Sequence, residues 1–457
     1  MYLRDLISLH GIAVVAGLTT YVLVTHTMRQ RRQPAAAIAW VITLALVPYV
    51  GLPLYLLFGT RKLVRPKRGI PDVSNVPGAK ADDAWPQRLA AAMNLAPAAS
   101  FEDLRIHEDG KQALEALHLM IESAKRTLDI CTYILGRDPV ADSLCEKLER
   151  KARDGVKIRL MVDSLGNLME GRRDFRALTA AGIEVVRFVP PLHSPRRGRW
   201  NLRDHRKMAI CDGAWLWCGG RNLAAEYFEG APGIHPWLDL SFDLKGELVE
   251  RAHDCFENDW AFAINRETRR SARRDEPRSD AHGQLFPTGP DQTDDTVYSL
   301  LVTAIFRARS RIVAVTPYFV PDPTLLMALT LAARRNVQVD LIIPAKSNHR
   351  MADFVRHRAL RELVQAGARV RLVPRMIHAK AVVVDDSLAL AGSANLDARS
   401  LFLNFELMVA FYNPGDVHRF ADWIERQASG ASRYVAHAPG LLRDVSEGLM
   451  LWVAFQL

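Results

Sequence analysis

The strongest constraint in this sequence is a stretch that occurs twice. Residues 205–222 read HRKMAICDGAWLWCGGRN, and residues 378–395 read HAKAVVVDDSLALAGSAN. Both follow H-x-K-x4-D-x6-G-(G/S)-x-N, so His205, Lys207, Asp212, Gly219 and Asn222 are answered by His378, Lys380, Asp385, Gly392 and Asn395 at identical spacing. A single H-x-K says little, but two long matches in one chain require a duplicated local structure. In each copy an apolar run, MAIC or AVVV, separates the Lys from the Asp, and a second apolar run leads to the glycine. That pattern predicts a strand, a turn and a strand. Side chains alternate along a strand, so the His and the Lys, two residues apart, share a face.

The surroundings of the motifs repeat as well. Ahead of the first copy the pattern predicts helices over 112–124, 141–153 and 175–181, alternating with strands over 128–135, 156–163 and 183–189. A loop rich in Pro, Arg and Gly, PPLHSPRRGRWNLRD, then delivers His205. Ahead of the second copy, strands over 311–320, 337–344 and 368–373 answer those three. The alternation predicts the α/β class, as two similar lobes facing each other across a pseudo-two-fold. The first lobe is placed over 101–264 and the second over 284–430, with a charged linker over 265–283.

The amino-terminal part has a different character. Residues 6–25, LISLHGIAVVAGLTTYVLVT, are long and apolar enough to span a bilayer as a helix. Arg29, Arg31 and Arg32 follow where a secretory signal would place a small-residue cleavage site, so a membrane anchor is expected instead. Residues 35–58 form a second run of spanning length, interrupted by Pro48, Gly51 and Pro53, which kink a helix or make it re-entrant. Residues 1–60 are therefore read as a transmembrane or re-entrant helical hairpin. If both runs span, the side shared by Arg4, Arg61, Lys62, Arg65, Lys67 and Arg68 outweighs the three arginines of the connecting loop, which places the lobes in the cytoplasm. Residues 61–100 lack a sustained period and read as a linker. The tail over 431–457 ends in an apolar run too short to span, read as a last helix packed on the core, with a membrane-surface contact as the alternative.

A formal charge of +9 and a pI near 9.4 suit an anionic partner such as phospholipid headgroups or nucleic acid. Five scattered cysteines form no C-x-x-C, and read as small buried residues in a reducing compartment. The fourteen histidines include no H-E-x-x-H and no paired acidic ligand cluster, so no catalytic metal is expected.

The paired pattern resembles the HKD motif of the phospholipase D superfamily, in which two copies meet at one active site. The residues suit that chemistry. A phosphodiester is anionic and resists attack, so its oxygens need donors, its phosphorus a nucleophile and its leaving group a proton. Lys207 and Lys380 can flank one phosphate as charged donors, with Asn222, Asn395 and Ser393 as neutral groups beside them. One histidine can attack phosphorus while the other, protonated, serves the leaving oxygen. The superfamily resemblance implies a covalent phosphohistidine, with His205 as nucleophile and His378 as general acid and base. It also implies that Asp239 and Glu406, which follow the two motifs, orient the histidines. Asp212 and Asp385 complete the motif and are expected to brace it at the turn. Gly220 stands where the second copy has Ser393, which favours unequal roles for the halves.

The segment RQPAAAIAWVITLALVPYVGLPLYLLFG, together with AGSANLDARSLFLNFELMVAFYN after the second motif, is similar to bacterial cardiolipin synthases. That resemblance implies phosphatidyl transfer between two phosphatidylglycerol molecules, giving cardiolipin and glycerol without a cofactor. It implies a multi-pass protein of the bacterial inner membrane whose partners are phosphatidylglycerol and anionic membrane lipids, and it leaves a homo-oligomer open. Hydrolysis to phosphatidic acid, or transfer from another phospholipid donor, remains the alternative. A membrane hairpin is hard to reconcile with access to nucleic acid, so no nucleic-acid partner is expected.

Overall fold

The computed structural model describes residues 3–28, 34–59, 84–169, 171, 173–189, 202–231, 233, 235–265 and 281–454. Most of the charged linker, of the stretch after the apolar runs and of the loop before His205 lies outside these residues.

Two sheets carry the α/β part, and strand for strand they have the same order. The first runs Glu184–Phe188, Lys157–Asp163, Thr127–Thr132, Met208–Cys211, Trp215–Gly219, Ser241–Lys245, Glu102–Ile106. The second runs Arg369–Val373, Gln338–Pro344, Arg311–Val315, Ala381–Val384, Leu388–Gly392, Glu406–Phe411, Gly283–Thr288, with the short Ser432–Arg433 added outside Arg369–Val373. In each sheet the first three strands are parallel to one another and the remainder antiparallel. Parallel neighbours need a crossover, and helices Pro139–Arg153 and Pro323–Arg334 provide it. Both crossovers begin at an Asp-Pro pair. The Asp138 carboxylate accepts from the Ala141 amide and the Asp322 carboxylate from the Thr324 and Leu325 amides, with the proline in the first turn where no amide is needed.

The duplicated motifs occupy the middle of each sheet. Met208–Cys211 and Ala381–Val384 are fully buried, which explains their unbroken apolar runs. Alternation sends Met208, Ile210, Ala381 and Val383 into one core shared by both lobes, while Ala209 and Cys211 face the first lobe's own helices and Val382 and Val384 the second's. The shared core is dense in aromatics, with Phe411 between Phe242 and Phe420 at centroid distances of 5.5 and 4.7 Å. All five cysteines are free and buried.

Several expected boundaries are corrected. The strand expected over 311–320 is two, Arg311–Val315 and Phe319–Val320, parted at Pro317, which has no amide to give a ladder. Glu102–Ile106 and Gly283–Thr288 are strands at the sheet edges. Within the stretch read as a linker, Trp85–Ala92 is a helix whose Ala90 joins the second lobe's core. The tail ends in helix Leu441–Ala454, fastened to helix Arg350–Gln365 by Glu447, which pairs with Arg361 at 2.5 Å and with Arg443 at 3.0 Å.

The amino-terminal runs form three helices. Leu3–Met28 is continuous, and the second run divides at Val47 into Pro34–Leu46 and Pro48–Phe58 because Pro48 cannot continue the preceding helix. The three pack on one another, with the Tyr55 ring 5.4 Å from Tyr21 and 5.2 Å from Trp40. Among the described residues no helix is long and apolar enough to cross a membrane.

Candidate active site

The two motifs meet where the lobes face each other, through a crossed backbone exchange. The His205 amide donates to the Phe405 carbonyl at 2.9 Å, and the His378 amide donates to the Leu238 carbonyl at 2.6 Å. Phe405 and Leu238 precede the two acids, so each bridge sets one lobe's histidine against the other lobe's carboxylate. His205 Nδ1 lies 3.0 Å from Glu406 Oε2, and His378 Nδ1 lies 2.7 Å from Asp239 Oδ2. An Nδ1 held by a carboxylate fixes the tautomer and leaves Nε2 to act.

The electrostatics are those of a buried cluster. Burial lowers His205 to about 4, although Glu406 pulls the other way. Burial, and then the Lys380 charge, lower His378 to about 3 against the pull of Asp239. Burial also lowers Lys207 to about 8 and Lys380 to about 7. Burial would raise Asp239, but Lys380 and His378 hold it at about 2, and His205 with Lys207 likewise keeps Glu406 below its ordinary value. At neutral pH the two histidines are thus neutral and the two acids charged, with the lysines poised to gain from an anion.

Lys207 Nζ donates to the His205 carbonyl at 2.6 Å and lies 5.5 Å from the Tyr133 ring. Lys380 Nζ donates to the His378 carbonyl and stands 2.6 and 3.0 Å from the two ring nitrogens of His378. Each motif therefore presents its His and Lys together, as the shared face of the strand requires.

The remaining motif residues are placed less uniformly. The Ser393 hydroxyl, expected beside the phosphate, instead donates to Glu406 Oε2 at 2.6 Å and accepts from the Leu407 amide. At the matching position of the first lobe, a Cβ on Gly220 would come within 2.3 Å of Asp239 Oδ1, so Asp239 in this seat requires glycine there. The Asn222 amide donates to the Tyr227 hydroxyl at 2.7 Å, while its Oδ1 accepts from the Ile134 amide. Asn395 is buried, and its Oδ1 has no hydrogen-bond partner among the described residues. Asp212 and Asp385, expected on sequence to brace the motif at its turn, sit at the far ends of their strands from the histidines. Asp212 accepts from the amides of Lys125, Arg126 and Thr127, and Asp385 from those of Arg309, Ser310 and Arg311. Both adopt a left-handed backbone, with φ of 52° and 51°, as a tight strand turn requires.

Aromatic side chains complete the site, and sequence reasoning missed them. Tyr133 meets the His205 ring edge-on at 5.0 Å, whereas His378 is surrounded by Tyr227 at 5.1 Å, Trp237 at 5.5 Å and Tyr318 at 6.4 Å. The available signal was their position: Tyr133 and Tyr318 follow the carboxyl ends of parallel strands, where open α/β sheets collect ligands. Among the described residues no group of three His, Cys, Asp or Glu side chains is arranged to hold a metal ion.

Known proteins resemble this chain over most of its length. A family model described as "Cardiolipin synthase, PLD-like domain" matches residues 117–260 and 301–428, and one described as phospholipase D-nuclease N-terminal matches residues 17–59. Cardiolipin synthase A of Pseudomonas putida is 29% identical over 437 residues, covering 91% of this chain and 88% of the relative. Cardiolipin synthase A of Pseudomonas entomophila is 29% identical over 444 residues, covering 93% and 90%. A crystal structure of phosphatidylserine synthase from Haemophilus influenzae shares the fold with a TM-score of 0.63 at 14% identity, over 82% of this chain and all of that one. With both lobes matched and the two motifs meeting between them, the chain belongs to the cardiolipin synthase family of phospholipase D-like enzymes.

Proposed function

We propose that the chain moves a phosphatidyl group from one phosphatidylglycerol to another, giving cardiolipin and glycerol through a phosphatidyl-histidine. The observation that carries this reading is the crossed pair of carboxylates, which leaves two Nε2 atoms for one phosphate between two buried lysines. His205 Nε2 attacks phosphorus, the bond from phosphorus to the glycerol oxygen breaks, and His378 gives that oxygen its proton. The headgroup hydroxyl of the second phosphatidylglycerol then loses its proton to His378 and attacks, and the phosphorus–nitrogen bond breaks. Lys207 and Lys380 neutralise the non-bridging oxygens throughout, and the approaching anion raises the proton affinity of His378 for its role as acid. Asn222 and Asn395 stand beside the phosphate as neutral groups, and Glu406 and Asp239 keep the two rings oriented.

Water must lose to an alcohol at the second step. Holding the site at a bilayer, where acceptor lipid is concentrated, favours that outcome. The amino-terminal helices suit such an anchor in a bacterial inner membrane, with the lobes on the cytoplasmic side that the basic residues favour. The deciding experiment is mass spectrometry of lipid products when the purified, detergent-held protein meets phosphatidylglycerol with EDTA present. Cardiolipin with free glycerol is expected. Phosphatidic acid alone would replace transfer by hydrolysis, and no product from phosphatidylglycerol but product from another phospholipid would change the donor.

A further inference from the structure

Each of the two paired histidines is joined through one tyrosine to the segment that follows the central parallel strand of its own lobe. The Tyr133 ring stands against His205, and its hydroxyl lies 3.9 Å from the Met169 Sδ. The Tyr318 ring stands against His378, and its hydroxyl donates to Asn348 Oδ1 at 2.5 Å. Residues 164–169 and 345–350 leave the carboxyl ends of strands Lys157–Asp163 and Gln338–Pro344, so they form two facing lips at the mouth of the site.

Their chemistry is opposite. On the first lip Leu168 is 48% exposed and Met169 is 68% exposed, two large apolar side chains offered to solvent beside the reacting centre. The second lip offers Lys346, Asn348 and Arg350, all exposed. We propose that the first lip dips into the acyl layer of a phospholipid bilayer while the second remains at headgroup level, so that the mouth is seated obliquely on the membrane. The inference rests on the phosphatidyl-transfer reading. A donor lipid must bring its phosphate to His205 while its acyl chains stay in the bilayer, and the apolar lip lies on the His205 side. Lys346 and Arg350 then face anionic headgroups, the partners their charge favours, and Leu168 and Met169 are removed from water.

The test places an environment-sensitive fluorophore on Met169→Cys, which labels selectively because the five native cysteines are buried. Leu119→Cys, exposed on helix Gly110–Ser123, serves as the reference, and Lys346→Cys reports the second lip. The full-length protein is reconstituted into phosphatidylglycerol vesicles containing lipids spin-labelled on the acyl chain. The label at 169 is expected to shift to shorter wavelength and to be quenched several-fold more than those at 346 and 119, as for a side chain about 5–10 Å into the boundary layer. Equal quenching at the three positions, or none at 169, would overturn the proposal. Lipid products from the same vesicles read the reaction separately. Cardiolipin without quenching at 169 removes the lip and keeps transfer, whereas quenching without any lipid product keeps the contact and removes transfer.

Discussion

The Nδ1 atom of His378 lies 2.7 Å from the Oδ2 atom of Asp239, a residue 139 positions earlier and in the other lobe. His205 and Glu406 repeat the relationship in the opposite direction, 201 positions apart. Each acid is closer in sequence to the histidine it does not touch, so each half-site is completed by the other half. Neither lobe alone contains an oriented histidine.

Crossing assigns the consequences of losing each acid. Glu406→Gln should act like a loss at His205 and Asp239→Asn like a loss at His378, each lowering kcat on the order of 10²- to 10⁴-fold. With His205 as the nucleophile, rapid denaturation of turnover mixtures in alkaline detergent, which spares a phosphorus–nitrogen bond, should trap lipid-linked protein in Asp239→Asn and far less in Glu406→Gln, and none in His205→Ala. The reverse pattern would exchange the roles of the two histidines, and equal trapping in both acid variants would reject the crossed assignment.

The glycine and serine at the matching positions are not interchangeable. Gly220→Ser drives a side chain into Asp239 Oδ1 and should abolish turnover while lowering Tm. Ser393→Gly removes a hydroxyl that donates to Glu406 at 2.6 Å and should lower kcat only about tenfold, the size of effect typical of a residue orienting a reactive group. A Gly220→Ser variant as active as Ser393→Gly would contradict the seating of Asp239.

The motif aspartates should matter for folding. Asp212→Ala and Asp385→Ala each strand three backbone amides at a strand start, at a cost of roughly 1–3 kcal/mol. Denaturant titration should show that loss, while the folded fraction keeps kcat within about twofold, because neither carboxylate reaches a histidine. A fall in kcat comparable to that of a histidine variant would assign these residues to the chemistry instead.

Stability should fall on mild acidification for a reason located in the site. Burial holds His205 at about 4 and His378 at about 3, against an ordinary value of 6.5, so the unfolded chain takes up these two protons first as pH falls. Stability is undiminished by them above pH 6.5 and declines as pH drops through the window toward 4. Asp239, held at about 2 against 3.8, adds a further loss below that window. Thermal unfolding followed against pH should be flatter between pH 6.5 and 4 in a His205→Gln, His378→Gln double variant. An unchanged slope would place the sensitivity elsewhere.

Much of the architecture was legible because duplication is visible as text. The parallel strands on either side of helix Pro139–Arg153 fall within one to three residues of expectation, where an apolar run is flanked by turn residues. The edge strands Glu102–Ile106 and Gly283–Thr288 were not legible, since their apolar content is modest and only their partners Ser241–Lys245 and Glu406–Phe411 make them strands. Helix Trp85–Ala92 was hidden for the same reason, its short apolar face acquiring meaning only against the second lobe. Tyr133 and Tyr318 are marked only by the strand ends they follow, while Tyr227 and Trp237 belong to no spaced pattern and proximity in space alone brings them to His378.

Sequence by itself determined the α/β class, the duplication of the lobes and the placing of His205 with Lys207 and of His378 with Lys380, because spacing along a strand dictates which side chains share a face. Resemblance to the superfamily, not spacing, pointed to Asp239 and Glu406. Only the tertiary structure decided which acid lies against which histidine, that Ser393 turns toward Glu406, and which backbone amides Asp212 and Asp385 hold. Those outcomes depend on two chain segments from different lobes exchanging backbone hydrogen bonds at Phe405 and Leu238, and a contact between segments so far apart in the chain leaves no periodicity in either one.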